Sequence, residues 1–355
     1  MKRNLLFLAP FPDERYPKDG MISRISSIDK HFIDSERTYL YVSLRKNINP
    51  YYKKLQNLEV VELNLFIHFF RILRIFYSAK IIYSHSVHML RNTWFLLPFF
   101  KGRFILDAHG VVPEEIRYFE SKNFMYYTAY MAEKMIFLHK NATIICVTNA
   151  MKNHFAQKYK DYRGEFKVYG IFPENLNVEN LNEIEEKEVS NQITVLYSGS
   201  SSGWQNIDLM LELIEKNQQP NVYYIILTAE VETFQTKIAK YQINKDRLLI
   251  KSVSPGELFA YYTKADYGFI LRDDQIVNRV ANPTKLIEYL YFGVIPIVKC
   301  PYIGDYYDYG YEYLPMQKFD ESIHKPLIKS QKNKAIALKL KKNNIESDIK
   351  KIVTG

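Results

Sequence analysis

Short apolar runs alternate with amphipathic stretches along the whole chain, and this alternation predicts an α/β protein with parallel sheets. In the first half the runs predicted as strands are 4–9, 38–43, 80–84, 103–107 and 142–147, with a weaker one at 166–169. A second series follows at 193–197, 222–227, 248–251, 267–271 and 294–298, with helices expected at 207–215 and 255–263. Between the two series, GIFPENLNVENLNEIEEKEVSNQ is polar, acidic and weakly periodic, which suits a connection. The expected organisation is therefore a domain over 1–170, a connection over 171–191, a second domain over 192–330 and a Lys-rich helical tail over 331–355. Two series of similar size fit two Rossmann-like domains, and they also fit two unrelated ones. No sequence period points to a solenoid.

The alternation is interrupted most informatively at 272–298, RDDQIVNRVANPTKLIEYLYFGVIPIV. Ten residues, 272–281, separate a strand end from the next helix, against about 2–6 in ordinary α/β units. Long loops at the carboxyl end of a parallel strand commonly hold a ligand. Asn282 is expected as the N-cap of that helix with Pro283 at N1, and Gly293 as its left-handed stop. The helix start offers free amides and a positive dipole end, suited to phosphate. Lys285 and Glu288 share one face, a cation for phosphate and a carboxylate able to accept two ribose hydroxyls. Each feature alone reads as ordinary capping or surface pairing; together, with Arg272 and Arg279 in the loop, they describe a nucleotide site.

The segment 277–298 resembles the donor-nucleotide motif of family 4 glycosyltransferases and their capsule and O-antigen relatives, which have the GT-B fold. A variant close to VNRVASPTKFAEYLACGLPVI recurs there, and VNRVANPTKLIEYLYFGVIPIV follows it almost throughout. The better-known family pattern places two Glu residues either side of seven others. Glu288 fits the second position and Val280 falls on the first. Asn278, Asp273 and Asp274 are the open alternatives for the contact to the donor sugar.

Three further stretches fit the resemblance. LYSGSSSGWQN at 196–206 runs from a strand into small residues before a helix, so its amides can approach an anion. It has neither the dinucleotide glycine spacing nor a Walker Lys. The family uses this loop for the donor diphosphate and usually adds an Arg and a Lys after it. Trp204, Gln205 and Asn206 stand there instead, leaving Arg272, Arg279 and Lys285 to meet the charge. In FILDAHGVVPEE at 104–115, His109 follows a strand and resembles the family's acceptor-side His; Glu114 and Glu115 read as dipole complements. In APFPDERYPKDGMISRI at 9–25, Gly20 precedes a helix carrying Arg24 and matches the family's first-strand glycine loop. The resemblance thus implies a catalytic role for His109. It implies donor contacts from Gly20, Gly199, Ser200, Arg272, Asn278 and Arg279, and from Asn282, Pro283, Thr284, Lys285 and Glu288.

Composition narrows the partners. Residues 1–170 hold 26 Lys/Arg against 15 Asp/Glu, and the remainder 22 against 24, so the first half carries the whole net charge of +9. That could face nucleic acid, anionic lipid or a phosphorylated substrate. No nucleic-acid module signature is present, so nucleic acid is not an expected partner. FIHFFRILRIFYSAK at 66–80 mixes aromatic and basic residues at helical spacing, as a membrane-surface helix or a half-buried core helix would. Apolar runs such as WFLLPFF are far shorter than the ~20 residues of a membrane span, and the N-terminus reads as a strand rather than a signal peptide. Cys146 and Cys300 lie in apolar runs and read as buried thiols of a reducing compartment. Around Asp273 and Asp274 there is no metal-ligand spacing, so no metal and no cofactor is expected.

The sequence reading is therefore a two-domain GT-B protein whose domains face a central cleft, moving a sugar from a nucleotide-diphosphate sugar to a glycan or lipid-linked acceptor. The resemblance implies a retaining, metal-independent transfer in bacterial surface polysaccharide synthesis, in the cytoplasm or peripherally at the inner membrane face. A nucleotide-sugar epimerase or hydrolase on the same fold, or a non-catalytic glycan-binding protein, are the alternatives.

Overall fold

The computed structural model describes residues 3–16, 20–120, 123–170, 172–173, 176, 192–254, 256–323, 329–346 and 348–355. The expected connection 171–191 lies almost wholly outside them, as does Pro255. The chain divides into two compact units: Met1–Ile171 with Glu346–Gly355, and Phe172–Ile345.

In the first unit the described strands are β1 (Arg3–Leu8), β2 (Arg37–Ser43), β3 (Tyr51–Leu55), β4 (Leu58–Asn64), β5 (Ala79–His85), β6 (Arg103–Ala108), β7 (Ala142–Cys146) and β8 (Glu165–Val168). They form one sheet in the order β3-β4-β2-β1-β5-β6-β7-β8. All neighbours are parallel except the β3–β4 hairpin at one edge. That hairpin was not expected from the sequence. β3, YYKKL, is an edge strand with no buried residue, so it shows no apolar alternation. The core on one face gathers Leu5, Phe7, Ile25, Ile28 and Tyr83, each shielding apolar area worth about 1.5–3 kcal/mol per large side chain. Ile349 and Val353 join it. The Lys-rich tail is two helices rather than one, Gln331–Glu346 and Ile349–Thr354, and Asp348 caps the second by accepting from the Lys351 amide at 3.1 Å.

The second unit holds β9 (Ile193–Ser198), β10 (Val222–Leu227), β11 (Leu248–Lys251), β12 (Tyr267–Ile270), β13 (Ile295–Val298) and β14 (Leu314–Pro315). Their order is β11-β10-β9-β12-β13-β14, all parallel. Side chains alternate across β9: Ile193, Val195 and Tyr197 enter one core, and Leu196 enters the other. A sheet buried on both faces explains why its strands read as continuous apolar runs. Both units are thus doubly wound, Rossmann-like domains.

Candidate functional site

The second unit's strand order reverses at β9. The chain winds from it to β10 on one side and later places β12 on the other. At such a switch point the loops leaving the two strands run apart and open a crevice beyond the carboxyl edge, where α/β proteins bind ligands. The loop after β9 contains Gly199 to Asn206, and the one after β12 carries Arg272. Asn206 ties them together, its Nδ2 donating to the Leu271 carbonyl at 2.6 Å.

Lys285 reaches into this junction from the helix Thr284–Tyr291. Its ammonium lies 3.9 Å from the centre of the Tyr197 ring and donates to Gln205 Oε1 at 3.3 Å. Gly199 makes room for it, with φ of +142°, a backbone conformation that side chains disfavour. Burial, with the Arg272 charge adding to it, holds the Lys285 pKa well below the usual range. Arg272 is pushed down to about 10 by burial, and its Nη1 donates to a neutral group, Asn278 Oδ1, at 3.3 Å. Among the described residues no carboxylate forms an ion pair with either cation. Two desolvated cations side by side are costly unless an anion joins them.

Glu288 stands one turn after Lys285 and accepts from Tyr262 Oη at 2.7 Å. Tyr262 is buried and also pairs with Ser198 Oγ at 2.7 Å. Burial raises the Glu288 pKa. The helix start differs from expectation: Pro283 is the cap residue and Thr284 the first helical one, so Lys285 is at N2. Asn282 is not the cap, because its Oδ1 accepts from Tyr306 Oη at 2.5 Å. The stop is as expected, with Gly293 at φ +66° and the Val294 amide returning to the Tyr289 carbonyl at 2.9 Å.

Arg279 departs from the expected cluster. It is exposed and forks onto Asp274 at 2.5 and 2.8 Å, so Arg272 and not Arg279 is the guanidinium whose charge bears on Lys285. The open alternatives for the missing acid are all engaged: Asp274 with Arg279, Asp273 with Lys299, and Asn278 through Nδ2 to the Asp273 carbonyl at 2.9 Å. Val280, at the family's acidic position, is buried. Ser200 Oγ pairs with Ser202 Oγ at 2.8 Å, and its carbonyl accepts from Tyr197 Oη at 2.6 Å, which fixes the loop's curvature.

In the first unit His109 follows β6. Its Nε2 is 3.1 Å from Asp107 Oδ2, without the alignment of a good hydrogen bond. Asp107 is gripped by Arg24, whose Nε and Nη2 donate at 3.0 and 2.9 Å. Burial works to raise the Asp107 pKa, but the Arg24 charge together with the nearby His109 and His85 outweighs it and holds the carboxyl well below its ordinary value. His85 is the register partner of Asp107 on β5, and burial lowers its pKa to about 4, so it is neutral. His85, Asp107 and His109 place ligand atoms within 4.8 Å of one another, a grouping able to ring a metal ion that the sequence reading overlooked. Arg24 already occupies both carboxylate oxygens, so the residues suit a neutralised polar network better than a metal. Gly20 opens the helix Gly20–Lys30 and is exposed; the loop residues 17–19 before it lie outside the described ones. Glu114 binds Lys158 at 2.7 Å and His154 at 3.2 Å, so it does more than complement a dipole. Burial pushes the Glu115 pKa up to about 7.

Two doubly wound units in one chain are also found in solved glycosyltransferases. Sucrose-phosphate synthase from Thermosynechococcus elongatus superposes with a TM-score of 0.63 at 13% identity, covering 97% of this chain and 99% of that one. Anabaena HepE, solved in complex with UDP and glucose, gives 0.62 at 12% identity over 97% and 98%. WaaG, a glycosyltransferase involved in lipopolysaccharide biosynthesis, gives 0.62 at 15% over 99% of each chain. The fold is that of the GT-B glycosyltransferases. No protein-family model and no curated protein matches the chain. In this GT-B chain the structure brings together Gly199, Arg272, Asn278, Lys285 and Glu288. Tyr197, Gln205 and Tyr262 were missed, since nothing local in the sequence marks a ring or amide as facing a cation. Asp107 could have been found, because it is an acid within an apolar strand only two positions before His109.

Proposed function

We propose that the chain is a glycosyltransferase that moves a sugar from a nucleotide-diphosphate donor, UDP-linked in the first instance, to a glycan or lipid-linked acceptor. The observation that carries this reading is the pair of desolvated cations, Arg272 and Lys285, at the β9–β12 switch point with Glu288 one turn on. In this reading Arg272, Lys285 and the first-turn amides of Thr284 and Lys285 bind the diphosphate. They stabilise it more as the sugar–phosphate bond breaks and negative charge grows. Glu288, locked by Tyr262, accepts both ribose hydroxyls. His109, which lies 3.1 Å from Asp107, is assigned the acceptor-side role that the family resemblance gives it. The acceptor hydroxyl bonds to the anomeric carbon with retention, and its proton passes to the departing phosphate oxygen. The HepE complex with UDP-glucose and the motif at 277–298 support UDP and a place near family 4. The structural likeness to WaaG, a glycosyltransferase involved in lipopolysaccharide biosynthesis, and the motif at 277–298 favour a role in bacterial surface polysaccharide synthesis on the cytoplasmic side of a membrane.

A second reading, a non-catalytic nucleotide- or glycan-binding protein, draws on Val280 at the vacant acidic position. Calorimetric titration with nucleoside diphosphates and their sugars, then turnover with lipid-linked acceptor in excess chelator, tests both. Diphosphate binding lost in Lys285→Ala, with turnover surviving chelator, is the expected result. Binding without turnover on any acceptor favours the second reading. Turnover lost in chelator and restored by a divalent metal contradicts the metal-independent reading. No binding by any nucleoside diphosphate sinks the donor site itself.

A further inference from the structure

We propose that the first unit carries a docking face for an anionic lipid bilayer. The face is made by three neighbouring pieces: the chain leading into and along the helix Phe69–Ser78, the turn Trp94–Phe99, and the outer stripe of the helix Asn123–Leu138. They are joined by the stacked rings of Phe69 and Phe95, 6.4 Å apart, and by Tyr77 Oη donating to the Leu96 carbonyl at 3.0 Å. The Asn123–Leu138 helix packs beside the turn.

Among the described residues, the large hydrophobic side chains that are 70% or more exposed are Phe70 at 83%, Phe66 at 74%, Phe99 at 72% and Phe124 at 70%. All four are on these pieces. The Phe69–Ser78 helix does bury Ile72, Ile75 and Phe76 in the core, so its exposed ring is surplus to packing. On Asn123–Leu138, Phe124, Tyr127, Lys134 and Leu138 recur at helical spacing along the wet side. Rings left this exposed to water, bordered by Lys and Arg, are what a headgroup layer takes up.

Charge selects the occupant. Residues 66–106 contain six Lys/Arg and not one Asp or Glu. In 123–141 the one carboxylate, Glu133, is buried and paired with Lys158 rather than facing out. A second copy of this chain pressed on the same patch would set like charge on like charge, whereas anionic headgroups would be matched. Among the described residues no helix is long and apolar enough to cross a membrane, so the contact is interfacial. The inference rests on the first unit alone and stands whether or not the chain is a transferase.

Sedimentation with phosphatidylglycerol-containing vesicles and with pure phosphatidylcholine vesicles tests it, at about 0.05 M and about 0.5 M salt. The full chain should bind the anionic vesicles at low salt and release at high salt. Phe70→Ser with Phe124→Ser should lower partitioning at least about tenfold. Arg71→Gln with Arg74→Gln, which leaves every ring in place, should lower it by about fivefold per charge and flatten the salt dependence. These side chains are exposed, and unchanged melting curves confirm folding. Equal binding to both lipids, no binding to either, or full binding by both variants overturns the proposal. A concentration-dependent dimer that the Phe70→Ser, Phe124→Ser variant dissociates would overturn it in favour of self-association.

Discussion

The Lys285 ammonium occupies the space beside the Gly199 Cα: a Cβ at residue 199 would stand 2.8 Å from Lys285 Nζ. Residue 199 is also held at φ +142°. A Gly199→Ala change therefore meets two costs, backbone strain of about 1–3 kcal/mol and a displaced cation. Diphosphate affinity should fall at least about tenfold in calorimetric titration with UDP. A melting curve run alongside separates lost folding from lost binding, and a folded variant with wild-type affinity would remove this pairing from the site.

Glu288 and Tyr262 act as a unit. Replacing Glu288 by Gln should weaken donor binding by about 1.5–3 kcal/mol, because a charged hydrogen-bond acceptor is lost. Tyr262→Phe should cost about 1 kcal/mol by freeing the carboxylate to rotate. Titration of a nucleoside diphosphate against its 2′,3′-dideoxy analogue reads the effect directly. If Glu288→Gln loses the same affinity for both, the carboxylate does not touch the ribose.

The depressed Lys285 pKa predicts proton uptake on donor binding. A diphosphate stabilises the ammonium form, so its arrival raises the pKa and draws a proton wherever the free site is deprotonated. Affinity should therefore fall as pH rises through the depressed pKa of the free protein, below the range of an ordinary lysine. Calorimetry in buffers of different ionisation enthalpy measures the proton count. Lys285→Arg should bind without uptake; the same uptake in that variant would place the proton elsewhere.

Asp107→Asn leaves the Arg24 guanidinium buried without a counter-charge. Breaking one side of such a pair typically costs about 3–5 kcal/mol. Urea unfolding should show a loss of that order, partly recovered in Arg24→Met with Asp107→Leu. A loss below about 1 kcal/mol would mean water reaches the pair.

Glu115 gives a pH signature of its own. Its folded pKa is raised to about 7 from 4.5 by burial, so the folded state holds the proton more tightly than the unfolded chain. That stabilisation is full below about pH 4.5 and is lost as pH rises through about 7. Glu115→Gln should abolish the slope in that window and make the protein more stable than wild type at pH 8, by on the order of 1–3 kcal/mol. Parallel melts of the two proteins from pH 4.5 to 8 check it, and identical slopes would discard the assignment.

Local chemistry carried far in the sequence. Apolar runs marked most of the strands, Gly293 marked the end of its helix, and the spacing of Lys285 and Glu288 placed both on one face. These are properties of a few consecutive residues, set by backbone sterics and helical period. The edge hairpin β3–β4 escaped because an exposed strand has no buried side to write an apolar pattern. Asn282 looked like a cap because its type favours one, but a hydrogen bond from Tyr306 holds its side chain away from the helix start.

The tertiary structure decided which charges matter. Arg272 and Arg279 are alike in sequence, seven residues apart in one loop. Only packing shows that Arg279 lies exposed on Asp274 while Arg272 is desolvated beside Lys285. That difference follows from β12 lying next to β9, an order of strands that no local pattern encodes. Arg24 and Asp107 met for a like reason: a helix and a strand distant in the chain come together in the first unit. Sequence determined the elements and the residue types they carry, because those depend on near neighbours; the fold determined desolvation and pairing, because an electrostatic energy depends on distance and burial in space.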